Sequence, residues 1–91
     1  MIYDEARAHI LAAIDKSSPM LNDPAIARRL ADPRNEIAFE DLGFDSLTAM
    51  EICLTLEDAT GQFIEPGDLL LYPGINALAA FMCSGQARSA A

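Results

Sequence analysis

Valine is absent from the 91-residue chain, whereas alanine occurs sixteen times and leucine eleven times. Strands draw on β-branched and aromatic residues, helices on alanine and leucine. The apolar material therefore suits helices, and an all-α fold is expected. One core is all the length allows, since domains run to about 100–200 residues; a doubly wound dinucleotide fold or a barrel enzyme is excluded. Hydrophobic residues make up 52% and charged residues 22% of the chain, a balance that packs rather than stays disordered. The expectation is a single domain over 1–91, with a helical core over about 3–84 and a flexible tail over 85–91.

Tyr3, Ala6, Ile10, Ala13 and Ile14 recur at three- and four-residue steps, which predicts a helix from Asp4 to Asp15 with one buried face. Ser17, Ser18 and Pro19 break it, and a long connection follows to Asn35. Within that connection Asp23 and Pro24 read as N-cap and first helical position of two turns over Ala25–Ala31, stopped by Pro33. Ile37, Phe39 and Leu42 are expected to pin an extended segment to the core before a turn at Gly43. No Pro or Gly interrupts Leu47–Thr60; Asp45 or Ser46 caps this second main helix and Gly61 ends it. Phe63 and Ile64 are expected to return to the core. Pro73 limits Pro66–Tyr72 to a short helix, and Ile75, Leu78, Ala79 and Met82 mark a last helix ending before Gly85.

The net charge of −8 is unevenly placed: residues 1–35 hold five acids and five bases, residues 36–91 nine acids and only Arg88. Phosphate backbones and anionic membranes need basic counterparts, so neither is an expected ligand, and a basic protein partner fits better. The longest apolar run is seven residues, Ala77–Cys83, against the roughly 18 a spanning helix needs. Asp4 and Glu5 stand where a signal peptide carries positive charge, so a cytoplasmic, monomeric protein is expected. Cys53 and Cys83 lack the spacing of a zinc or redox site. Asp41 with Asp45, and Glu57 with Asp58, lack that of a calcium loop; no metal is expected. His9 sits alone in the first helix, and Gly43-x-x-Ser46 misses the Gly-x-Ser-x-Gly elbow by one residue, so no catalytic function is expected.

At about 100° per residue, the second main helix carries two apolar stripes. Ala49, Ile52, Cys53, Leu56 and Thr60 form one; Leu47, Met50 and Leu54 lie roughly opposite. Glu51 and Asp58 edge the second stripe on one flank and Glu57 on the other. An apolar strip bordered by carboxylates has the composition of a docking surface; the competing arrangement buries it beneath residues 20–34.

The run Phe39-Glu-Asp-Leu-Gly-Phe-Asp-Ser-Leu-Thr-Ala-Met-Glu51 closely resembles the phosphopantetheine attachment segment of acyl and peptidyl carrier proteins, most nearly those of polyketide synthases. Leu70-Leu71-Tyr72-Pro73, Ile75 and Leu78-Ala79 are similar to a later junction of the same family, so the resemblance spans about Ile37 to Met82. It implies a four-helix bundle, three main helices with a short third one; the long connection between the first two main helices, with room for the extra short helix over Ala25–Ala31, is read from this sequence itself. It further implies that Ser46 carries 4′-phosphopantetheine, with Asp45 and Leu47 beside it, and that an acyl or aminoacyl group hangs from that arm as a thioester. A phosphopantetheinyl transferase and a loading ligase or synthase with a basic patch are the implied partners, docking on Leu47, Met50, Glu51, Leu54, Glu57 and Asp58. The alternative is a carrier-like interaction module that is never modified.

Three departures qualify the resemblance. The connection between Asp15 and Ser46 is longer than in fatty acid carriers, which suggests an accessory that tolerates shortening. Ile52-Cys53-Leu54-Thr55 holds no base where embedded polyketide carriers tend to carry one, and the chain starts at its own Met, which suggests a free-standing carrier. Thr60 stands where a large apolar residue is common. An aminoacyl or short specialised acyl cargo ranks slightly above a long fatty acyl chain.

Overall fold

The computed structural model describes residues 1–18, 22–85 and 88–89. Five α-helices occur among them: α1 (Tyr3–Ser17), α2 (Pro24–Leu30), α3 (Ser46–Thr60), α4 (Pro66–Leu71) and α5 (Ile75–Cys83). The fold is all-α: α1 packs on α5 and α3, α4 packs on α3, and α2 is the extra helix of the long connection. None of these helices is long and apolar enough to cross a membrane.

Periodicity decides which faces are buried. Ala6, Ile10, Ala13 and Ile14 of α1 meet Ile52, Cys53 and Leu56 of α3 and Ile75, Leu78, Ala79 and Met82 of α5 in one core. Tyr3, at the open first turn of α1, remains 38% exposed. The helix runs two residues beyond Asp15, and the Ser18 amide closes its last turn on the Ile14 carbonyl at 2.8 Å. Asp23 caps α2 by accepting from the Ala25 amide at 2.8 Å, with Pro24 as the first helical residue.

Four expectations are revised. Phe39–Leu42 coils into a 3₁₀ turn instead of staying extended, closed by the Gly43 amide on the Glu40 carbonyl; Gly43 then reverses the chain at φ 69°. Phe63 is 37% exposed whereas Ile64 is buried, because successive residues of an extended segment point to opposite sides. Gln62–Phe63 (β1) pairs antiparallel with Arg88–Ser89 (β2), so part of the stretch expected to be a tail joins a ladder; residues 86–87 and 90–91 lie outside the described residues. The connection is more than an accessory, because Ile26 joins the core and Leu30 packs against it, so its shortening is not free. Residues 19–21 lie outside the described residues.

Candidate functional site

Gly43 at φ 69° leaves Phe44 stacked on Phe39, ring centroids 5.9 Å apart, and starts α3 two residues later. The cap of α3 is Asp45, whose carboxylate accepts from the Thr48 amide at 2.7 Å. Ser46 is the first helical residue, is exposed, and its hydroxyl has no hydrogen bond among the described residues. The sequence allowed either residue as cap; the structure gives capping to Asp45 and leaves the Ser46 oxygen available.

Thr48, through its amide first and its side chain second, holds the Asp45 carboxyl below the ordinary carboxylate range. A depressed folded pKa contributes stability above the unfolded value and loses it as pH falls through the folded value. The helicity of α3 is therefore expected to be pH-independent from neutrality to about pH 5 and to weaken in the acid range below the usual aspartate pKa of about 3.9. Asp45→Asn removes that titration but keeps a capping oxygen, so its circular dichroism should lose the acid-range slope; an unchanged slope would assign the loss to other groups.

Ser46 lies on the rim of a groove of about 540 Å³ whose walls include Phe39, Phe44, Ala49, Leu69, Leu70 and Pro73. Glu40 and Asp45 are its charged lining residues. The groove joins residues some thirty positions apart, and sequence reasoning did not anticipate it. Ala49, assigned to the core stripe, is half-buried: it packs against the core and also lines this groove.

The second stripe of α3 is open: Leu47, Met50 and Leu54 are 64%, 51% and 56% exposed. Glu51 and Asp58 are exposed beside it and Glu57 is half-buried. The described part of the connection does not cover the strip. Its α2 is tied elsewhere, Arg29 pairing with Asp41 at 3.4 Å and donating to the Glu36 carbonyl at 3.0 Å. Two further features were missed. Leu70 and Leu71 on α4 are 83% and 73% exposed; a run of three leucines on a two-turn helix was the available signal, because only one side can meet the core. Lys16 at the end of α1 shares a shallow furrow with Glu51, Leu54 and Thr55, placing one base beside the acidic strip.

Thr60 is explained by its hydroxyl, which donates to the Leu56 carbonyl at 2.7 Å and accepts from the Gln62 amide at 3.2 Å. It finishes α3 together with Gly61, which sits at φ 72°. Burial pushes the Cys53 thiol up to about 11, with the charges of Asp68 and Glu65 adding to it, so this sulfur stays protonated and unreactive. Cys83 is half-buried and free. His9 lies on α1, away from the lining of the Ser46 groove.

Residues 25–82 match the family model described as a phosphopantetheine attachment site. The chain is 37% identical over 82 residues to the mycoketide-CoA synthase of Mycobacterium tuberculosis (strain ATCC 25618 / H37Rv), covering 90% of this chain and 2% of that protein. It is 43% identical over 47 residues to the phenolphthiocerol synthesis polyketide synthase type I Pks15/1 of Mycobacterium marinum (strain ATCC BAA-535 / M), covering 52% of this chain and 2% of that protein. The chain thus spans about 2% of the length of these two relatives. No solved structure matches it at a significant level.

The chain belongs to the phosphopantetheine-attachment family, as a carrier domain related to the acyl carrier regions of polyketide synthases. Such a domain holds a thioester for other enzymes and is not itself a catalyst. The match begins at Ala25, so most of the connection taken for an insertion lies inside the family region.

Proposed function

We propose that Ser46 bears the phosphopantetheine arm and that the domain presents an acyl group of the polyketide type to partner enzymes. The observation that carries this reading is the Ser46 hydroxyl: exposed, without a hydrogen bond, on a groove rim, with capping delegated to Asp45. The first turn of the fifteen-residue α3 also suits a phosphate, because free amides and the helix dipole favour an anion there. The arm, once attached, supplies the thiol on which the acyl group rides. Ser46 supplies its oxygen to the pantetheine-bearing phosphorus of coenzyme A, the pyrophosphate bond breaks with the adenosine bisphosphate as leaving group, and the Ser46 proton passes to the transferase; Asp45 holds the helix start and Leu47 borders the modified residue. An acyl cargo is preferred over an aminoacyl one because the relatives are named as polyketide and mycoketide synthases. Incubation with coenzyme A and a phosphopantetheinyl transferase tests attachment; no mass gain with any broad-specificity transferase would overturn it.

Loading enzymes are proposed to dock on Leu47, Met50 and Leu54 after steering by Glu51, Glu57 and Asp58. A basic patch is drawn in by an acidic field and is weakened by salt, while an apolar residue seated in a partner's pocket governs residence. Glu51→Lys is expected to slow loading and flatten its salt dependence. Met50→Ala is expected to raise dissociation with the salt dependence kept. Both side chains are exposed, so stability should move by no more than about 0.5 kcal/mol. Loading rates indifferent to ionic strength and to Glu51→Lys would remove charge steering through α3.

A further inference from the structure

The N-terminus of α5 is capped from the far side of the sequence. Its N-cap is Gly74, which brings no side-chain oxygen. The carboxylate of Glu36 takes that role: Oε1 accepts from the Ile37 amide at 3.0 Å and the Asn76 amide at 2.8 Å, and Oε2 accepts from the Ala77 amide at 2.9 Å. Glycine at 74 is what admits this carboxylate, because a Cβ there would collide with Glu36 Cδ and stand 2.5 and 2.7 Å from its oxygens. Asn76 reinforces the join, its Nδ2 donating to the Pro33 and Asn35 carbonyls at 3.2 Å and its Oδ1 accepting from Arg7 Nε at 2.9 Å.

The same join reaches the attachment site through the backbone. The Ile75 amide donates to the Ile37 carbonyl at 3.1 Å, the Phe39 amide donates to the Pro73 carbonyl at 2.8 Å, and Ala38 bridges Gly74. Phe39 and Pro73 both line the groove, and Phe39 stacks on Phe44, two residues before Ser46. Nothing else among the described hydrogen bonds ties residues 36–39 to 73–77.

We infer that Glu36 is a positioning residue for modification of Ser46, a latch that closes the 36–39 segment onto the start of α5 and thereby fixes the groove wall and the turn from which Ser46 projects. A serine or threonine at 74 would cap α5 locally but would leave 36–39 held to the start of α5 by its backbone bonds alone. The Glu36–Gly74 pairing does both jobs with one carboxylate. The inference rests on Ser46 being the attachment residue. A loosened latch populates the recognisable turn only part of the time, and apparent affinity falls in proportion to the competent fraction.

The test compares the wild type, Glu36→Ala, Gly74→Ala and the double variant Glu36→Ala/Gly74→Ser as substrates of a phosphopantetheinyl transferase with coenzyme A. Each is assayed at a temperature where circular dichroism finds it almost wholly folded. Gly74→Ala expels the carboxylate from the other side, so it carries the test should Glu36→Ala not fold. In the double variant the atoms that obstruct position 74 are gone, and serine restores a local cap worth about the usual N-cap increment. All three variants should show an apparent KM raised roughly tenfold, as when the competent fraction falls to about a tenth, with kcat within about twofold of wild type. The double variant should do so even with its thermal midpoint restored. A double variant with wild-type KM would reduce Glu36 to a helix cap and overturn the latch, as would a lowered kcat at unchanged KM. If the wild type takes up no arm, or Ser46→Ala takes one up, the attachment reading fails instead; wild-type modification at Ser46 with unaffected variants removes the latch alone.

Discussion

Ser46→Ala should leave a folded protein that accepts no phosphopantetheine. The two halves of that result have separate causes. Folding is spared because Asp45, not Ser46, caps α3, and the Ser46 hydroxyl has no hydrogen bond among the described residues to lose. Alanine is also well suited to a first helical position, so the stability change should stay within about 0.5 kcal/mol. Modification is lost because the nucleophilic oxygen is gone, and Thr48, the next hydroxyl on α3, is half-buried. Urea melts matching wild type, together with an unchanged mass after transferase and coenzyme A, are the expected pair of observations. A folded variant that still gains mass would move the attachment point to another residue.

The second large effect separates the two stripes of α3. Leu56 is fully buried in the core, whereas Leu54, two residues away on the same helix, is 56% exposed. Leu56→Ala removes buried methylenes and leaves a cavity, which costs about 2–5 kcal/mol. Against the 5–14 kcal/mol or so available to a chain of this length, that is a large share, and the thermal midpoint should fall by at least about 8 °C. Leu54→Ala should leave the midpoint within about 3 °C, on the same scale, while weakening partner docking. Equal and large losses in both variants would mean that the Leu47–Met50–Leu54 strip is covered in the folded protein.

That contrast also marks how far the sequence alone could be read. The helices were legible because their apolar spacing is local and because Pro24, Gly61, Pro66 and Pro73 punctuate them; even the extra helix α2 follows from Asp23-Pro24 and the run to Leu30. The exposed strip was legible too, since two opposite apolar stripes on one helix cannot both face a single core. What escaped is non-local. The groove brings Phe39 and Phe44 against Leu69, Leu70 and Pro73, and no periodicity within either segment announces the other. Glu36 as cap of α5 lies about forty residues from the amides it serves; the one hint was a glycine at an N-cap position with no Ser, Thr, Asp or Asn to do the work. The cap of α3 was ambiguous because Asp45 and Ser46 are both good N-caps and adjacent, so a shift of one residue in the helix start exchanges their roles. Phe63 was misassigned because hydrophobicity gives no direction for a side chain in a two-residue strand.

The central claim is that this carrier domain carries its arm on Ser46, and fragment-ion mass spectrometry of the wild-type protein after treatment with coenzyme A and a phosphopantetheinyl transferase tests it most directly. The expected result is a single adduct with the mass of one phosphopantetheine, localised to the Ser46 hydroxyl. An adduct localised to Thr48, Ser17, Ser18 or any other residue, or a chain that stays unmodified under every transferase tried, would contradict it.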